Sequence, residues 1–218
     1  GAVSDAIDRV LSATGHDVHL AGYSQGGMFC YQTAALRRSE GIKSLITFGS
    51  PVDIYRNVPG LNDALAGPLI SAAAKAIQDP LDRIAGLPGF LTSTGFKLLS
   101  VRKELTQVVD FVQKLHDRAA LEKRESRRRF LGGEGFVAWP GPALRDFVDQ
   151  FIVHNRMTSG GFILDGRTVT LADITVPVLA FIGTRDAIAQ PPAVRAIRRA
   201  APNAEVHELS VKAGHFGI

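Results

Sequence analysis

A single cysteine, Cys30, excludes an internal disulfide and fits a reducing compartment. No apolar run reaches the roughly 18 residues that a membrane span needs. No signal peptide is visible, so the expected location is cytoplasmic. The excess of cations is small: a net charge of +4 is too mild to argue for a nucleic-acid partner by itself. Metal-ligand spacings, a Walker loop and a dinucleotide fingerprint are all lacking, and no cofactor or metal is expected. What is left is a chain of 218 residues with ordinary apolar content, enough for one domain or for a core domain with an insertion. It has no initiator methionine, opens directly into a helical pattern and stops at Phe216-Gly217-Ile218 as if in mid-element. It therefore reads as a fragment of a longer protein.

The most informative stretch is Gly22-Tyr23-Ser24-Gln25-Gly26. It follows the apolar run 18–21 and precedes a helical run from Gln25 to about Arg38. A serine on a sharp strand-to-helix turn is a nucleophile elbow: the flanking residues must be small, hence Gly22 and Gly26. The hydroxyl is then held out at the carboxyl end of the sheet, and the Gln25 N–H points into an oxyanion hole. The positive end of the helix lies beneath the developing negative charge. The competing reading is a glycine-rich turn with no chemistry.

In chain order, Ser4 is the expected cap of a first helix, with Ile7, Val10 and Leu11 on one face and Gly15 as its stop. Residues 18–23 and 42–48 read as strands on either side of the elbow helix, which makes a βαβ unit and a parallel sheet. The alternation breaks from about Val52 to Gly160. Pro-Gly pairs at 59–60, 88–89 and 140–141 separate helical runs at 69–77 and 98–115, and Phe147, Phe151 and Ile152 fall on a further helix. A hairpin is expected at 162–169, around Asp165-Gly166. Strands follow at 176–182 and 205–209, with a Pro191-led helix between them. The expected architecture is α/β: an α/β-hydrolase fold with a parallel sheet and flanking helices, a mostly helical cap insertion, and N-terminal strands missing. The core is 1–52 with 161–218, and the cap is 53–160.

Serine is a poor nucleophile without a base, and the base needs an orienting acid. Ser24, Asp186 and His215 occur in the α/β-hydrolase order, each at the carboxyl end of an expected strand. Asp186 also suits a cap for the Pro191 helix, and His215 a surface loop. Asp53 is the rival acid, because it follows the strand after the elbow. His16, His19, His116, His154 and His207 are poorly placed as bases.

The stretch Asp149-Gln-Phe-Ile-Val-His-Asn-Arg-Met-Thr-Ser-Gly-Gly-Phe, the hairpin, Leu171-Ala-Asp-Ile-Thr-Val-Pro and Phe181-Ile-Gly-Thr-Arg-Asp186 resemble the second half of class I and III polyhydroxyalkanoate synthases. Residues 22–27 resemble their nucleophile box and Gly214-His215 their histidine loop. The resemblance is faint across 58–129. It implies Ser24 as nucleophile, Asp186 as acid and His215 as base. Those synthases carry cysteine where this chain has Ser24, and Cys30 lies nearly two helical turns further on. A thioester keeps an acyl group activated, whereas an oxyester at serine favours hydrolysis or transfer to a single hydroxyl.

The expected function is thus a serine acyl hydrolase or acyltransferase acting on an ester or acyl thioester, with a coenzyme A thioester as a possible substrate. Gln25 alone gives half an oxyanion hole, so the chain is expected to be continuous with, or paired to, missing core segments. The alternative is a non-catalytic hydrolase-like domain that binds acyl chains or serves a larger enzyme. Phe90, Phe96 and Trp139 suit a cap that shelters an acyl chain, and the basic run 123–129 suits either a solvated face or a contact to phosphates.

Overall fold

The computed structural model describes residues 1–57, 67–72, 86–87, 139–164 and 166–218. The chain divides into two units, Gly1–Lys75 with Asp149–Ile218, and Ala76–Val148. The helix expected at 98–115, His116, the basic run 123–129, Phe90 and Phe96 lie outside the described residues.

The first unit is built on four parallel strands: β1 (Val18–Tyr23), β2 (Ile42–Phe48), β7 (Val178–Gly183) and β8 (Val206–Val211), in the order β1-β2-β7-β8. The boundaries of β1 and β2 match the sequence pattern. β7 starts two residues later than expected, after Pro177, which has no N–H to give to a ladder but whose carbonyl accepts from Leu45. β7 is apolar along its length because both faces are covered, with Val178, Ala180 and Ile182 fully buried. Phe48 and Phe181, register partners on β2 and β7, stack with ring centroids 4.6 Å apart.

Helix α1 (Ala2–Thr14) ends at Gly15 in the left-handed conformation (φ 70°). Ser4 is not its cap: the helix has already begun at Ala2, and the Ser4 hydroxyl accepts from Arg37 at 2.7 Å. Arg37 also pairs with Asp8 at 2.8 Å, so it ties α1 to the end of α2 (Gln25–Leu36). The apolar arc of α2 packs on the sheet. Tyr31 is fully buried there, and its hydroxyl meets that of Thr47 on β2 at 2.6 Å, which satisfies two polar groups that would otherwise be buried unpaired.

After β2 the chain makes a 3₁₀ turn (Ile54–Asn57), and residues 67–72 are helical. The 162–169 hairpin forms as expected from β5 (Phe162–Leu164) and β6 (Arg167–Val169), with Gly166 at φ 73°, a conformation that glycine adopts without steric cost. The Pro191 helix is two short pieces, α4 (Pro191–Arg195) and α5 (Ile197–Ala200), joined at Ala196. In the second unit, β3 (Gly86–Leu87) pairs antiparallel with β4 (Trp139–Pro140), which leads into α3 (Gly141–Phe147). Residues Val148–Val153 form a π-helix, so Phe147 ends an α-helix while Phe151 and Ile152 lie on wider turns. Among the described residues no helix is long and apolar enough to cross a membrane.

Candidate active site

Because the four strands are parallel, the residues that follow them gather at one edge of the sheet. Ser24 follows β1, Gly49 and Ser50 follow β2, Asp186 follows β7 and His215 follows β8.

Ser24 adopts φ 53°, ψ −121°, a conformation that costs a non-glycine residue on the order of 1–3 kcal/mol. Its N–H donates to the Phe48 carbonyl at 2.8 Å, and its own carbonyl accepts from Gly27 at 3.1 Å and Met28 at 3.3 Å. The tightness of the turn comes from a different pair of glycines than the pentapeptide suggests. A Cβ on Gly22 would lie 2.5 Å from the Gly27 nitrogen, and one on Gly27 would run into the Ser50 hydroxyl. A Cβ on Gly26 would meet nothing within 4 Å. Gly22 and Gly27 are therefore the sterically required positions; Gly26 is not.

His215 opens a short 3₁₀ turn (His215–Gly217) and is 7% exposed. Its Nε2 lies 2.9 Å from Ser24 Oγ and its Nδ1 2.7 Å from Asp186 Oδ2. The other carboxylate oxygen of Asp186 accepts the Ile188 N–H at 2.8 Å and the Ala189 N–H at 2.9 Å, which holds the carboxylate in place against the imidazole. With Asp186 accepting from Nδ1–H, Nε2 is the free acceptor that faces the serine hydroxyl. Gly49 (φ 53°) passes close beneath: a Cβ there would sit 3.2 Å from Asp186 Oδ2 and 3.3 Å from His215 Nδ1.

Asp53 is also buried but is engaged elsewhere. Its Oδ1 accepts from Asn155 at 2.8 Å and its Oδ2 from Arg199 at 3.1 Å, with Arg56 at 3.4 Å. The Gln25 N–H belongs to the first turn of α2, where backbone donors have no acceptor within the helix. Of the other described histidines, His19 meets Ser44 at 2.7 Å, His154 pairs with Asp149 and His207 with Glu205. Cys30 is buried in α2, and burial pushes its thiol up to about 11.

Two features escaped the sequence. Tyr23 donates its hydroxyl to the His215 carbonyl at 2.9 Å, with the two rings 5.1 Å apart. Partial burial, and then the charge of Asp186, raise its phenol above the ordinary value, so it stays a donor. Asn155 (φ 44°) accepts from the Ile54 N–H while it holds Asp53, and so joins segments about a hundred residues apart. A polar residue beside the serine, and an asparagine where the left-handed conformation is tolerated, were the available signals.

The strand order, the elbow and the convergence of three strand ends define an α/β-hydrolase architecture. Residues 1–218 match the alpha/beta hydrolase family, and the chain belongs to it. It is 28% identical over 229 residues to the poly(3-hydroxyalkanoate) polymerase subunit PhaC of Allochromatium vinosum, a match that covers 100% of this chain and 59% of that protein. It is 22% identical over 218 residues to the same subunit of Haloarcula marismortui, covering 99% of this chain and 44% of that one. The chain thus spans about half the length of these relatives. In fold it is similar to BpoC of Mycobacterium tuberculosis, a protein assigned as a non-heme bromoperoxidase, with a TM-score of 0.53 at 17% identity over 99% of this chain and 66% of that one.

Proposed function

We propose that the protein is a serine-dependent acyl hydrolase or acyltransferase that works through an acyl-enzyme at Ser24. The observation that carries this reading is the continuous set of hydrogen bonds from Ser24 Oγ through His215 to Asp186, 2.9 Å and 2.7 Å long. His215 Nε2 takes the hydroxyl proton as Ser24 Oγ bonds to the acyl carbon. The oxyanion is stabilised by the Gln25 N–H at the positive end of α2. The imidazolium, stabilised by Asp186, gives its proton to the leaving oxygen or sulfur as the tetrahedral intermediate collapses. Water or an acceptor hydroxyl then releases the acyl group, with His215 again taking the proton.

The substrate class is an ester or an acyl thioester, with a coenzyme A thioester as the activated donor. The relatives named above are polymerases. Ser24 holds the acyl group as an oxyester, however, so transfer to another alcohol is nearly thermoneutral and water competes. Hydrolysis, or transfer to one hydroxyl, fits that chemistry better than chain growth. The buried, hard-to-ionise Cys30 supplies no alternative thiolate.

The test is covalent labelling of the intact protein with a fluorophosphonate, adduct mapping by mass spectrometry, and turnover of a model ester and an acyl thioester. Ser24→Ala should retain the fold, lose labelling and lose roughly 10⁴–10⁶ in turnover. Unchanged turnover in that variant removes the proposal. A folded protein that neither labels nor turns over either substrate points instead to a binding domain.

A further inference from the structure

The turn after β2 meets the loop that follows Asp186 through one residue, Asn57. Its Oδ1 accepts the Gln190 N–H at 2.8 Å, and its backbone carbonyl accepts from Gln190 Nε2 at 3.2 Å. Because Oδ1 faces a donor, the other end of the side chain is the NH₂ group, which donates to the Ile188 carbonyl. The reversed amide would set donor against donor and oxygen against oxygen. The turn itself is fixed from elsewhere. The Val52 and Asp53 N–H groups donate to the Ala193 carbonyl at 2.9 Å and 3.1 Å. The Ile54 N–H donates to Asn155 Oδ1 at 3.2 Å, and the Tyr55 hydroxyl to the Val153 carbonyl at 2.7 Å.

The Ile188 carbonyl and the Ala189 N–H belong to one peptide unit. That N–H donates to Asp186 Oδ1 at 2.9 Å. Asn57 therefore holds the outer end of the peptide whose inner end holds the carboxylate. From Asp186 Oδ2 the line runs to His215 Nδ1 over 2.7 Å, and from Nε2 to Ser24 Oγ over 2.9 Å. A carbonyl that accepts a hydrogen bond makes the N–H of its own peptide a better donor, so the links reinforce one another. Ala189 is fully buried, which keeps water from substituting for its bond to Asp186.

We propose that Asn57 is a positioning residue for Asp186: it sets the plane of the Ile188–Ala189 peptide, and through it the carboxylate that orients His215. The role in turnover rests on the acyl-enzyme reading of Ser24.

Turnover of a model ester by the intact protein tests it, together with the ¹⁵N signals of the His215 ring, which report the tautomer without substrate. Asn57→Asp keeps the acceptor for Gln190 and loses the donor to Ile188. Asn57→Leu loses both without adding a charge. Each should lower kcat by about 10- to 100-fold with KM within about twofold, because a small displacement of the reacting groups is enough. Each should also move the His215 ring from the Nδ1–H tautomer toward a mixture. Gln190→Ala removes a bond to the Asn57 backbone and none to the Ile188–Ala189 peptide, so it should change kcat by less than about twofold. In an Asp186→Ala background, Asn57→Asp should lower kcat by less than about twofold, since two changes on one line of contacts are not additive. Urea denaturation shows that each variant is folded in the assay. Unchanged kcat in both Asn57 variants, ring signals like those of the wild type, an equal loss in Gln190→Ala, or an undiminished loss in the Asp186→Ala background each overturns the proposal. A wild-type protein that neither labels with a fluorophosphonate nor turns over substrate overturns the Ser24 reading instead, and the ring signals then decide the position of Asn57 alone.

Discussion

The hydroxyl of Tyr23 donates to the backbone carbonyl of His215 at 2.9 Å, so the residue before the serine holds the loop that carries the imidazole. The two are 192 positions apart in sequence. Tyr23→Phe keeps the ring against the imidazole and removes only this bond. A net hydrogen bond of about 0.5–1.5 kcal/mol corresponds to a fall in kcat of roughly 2- to 12-fold. The loss should fall on kcat with KM little changed, measured on a model ester. Equal rates would mean that the bond does not position His215.

The two buried carboxylates should separate by effect. Asp186→Asn should lower turnover by about 10⁴-fold, because the wrong tautomer of His215 is then favoured. Asp53→Asn should act on stability instead, by roughly 1–3 kcal/mol, since the amide keeps only one accepting oxygen, and Arg199 and Asn155 can no longer both be satisfied. Turnover and urea denaturation of both variants decide the matter. A large rate loss in Asp53→Asn with stability intact would return Asp53 to the chemistry.

Adjacent glycines in the elbow should respond oppositely. Gly27→Ala places a methyl on the Ser50 side chain and should cost about 1–3 kcal/mol. Gly26→Ala enters open space in the first turn of α2 and should stabilise by up to about 1 kcal/mol. Denaturant midpoints measure both, and a destabilised Gly26→Ala would contradict the steric argument.

Alkaline pH should loosen the packing of α2. Burial raises the Cys30 thiol to about 11 and the Tyr31 phenol well above its ordinary value. In the unfolded chain both groups lose their protons at lower pH than in the folded one. Their contribution to stability is therefore complete below the unfolded values, near pH 9, and is lost as pH rises toward 11 and beyond. At pH 8 only about one Cys30 in a thousand is thiolate, so iodoacetamide should leave it unmodified in the folded protein. In Ser24→Cys the new thiol faces His215 and should be alkylated while Cys30 is not. Rapid alkylation of Cys30 in folded protein at pH 8 would refute its burial.

Local pattern carried most of the core fold. The apolar runs at 18–23 and 42–48, the helix between them and the proline-led helix at 191 follow from periodicity and backbone stereochemistry, which act over a few residues. Order along the chain then places Ser24, Asp186 and His215 at strand ends, because a parallel sheet puts all its carboxyl ends on one edge. Corrections of detail were also local in cause: Pro177 delays β7, and a helix that starts at Ala2 leaves Ser4 to serve Arg37.

What only the tertiary structure decided are partnerships across long separations. Asp53 and Arg199 are 146 positions apart and Asp53 and Asn155 are 102 apart, so no spacing rule assigns Asp53 to them rather than to His215. The need for glycine at 27 arises from Ser50, on a neighbouring loop, and is invisible in a pentapeptide that ends at Gly26. Arg56 lines one cavity with Arg195, Arg198 and Arg199 because the turn after β2 packs beside α4. Periodicity reports which face of an element is buried; which side chains meet across the buried face depends on how the elements dock.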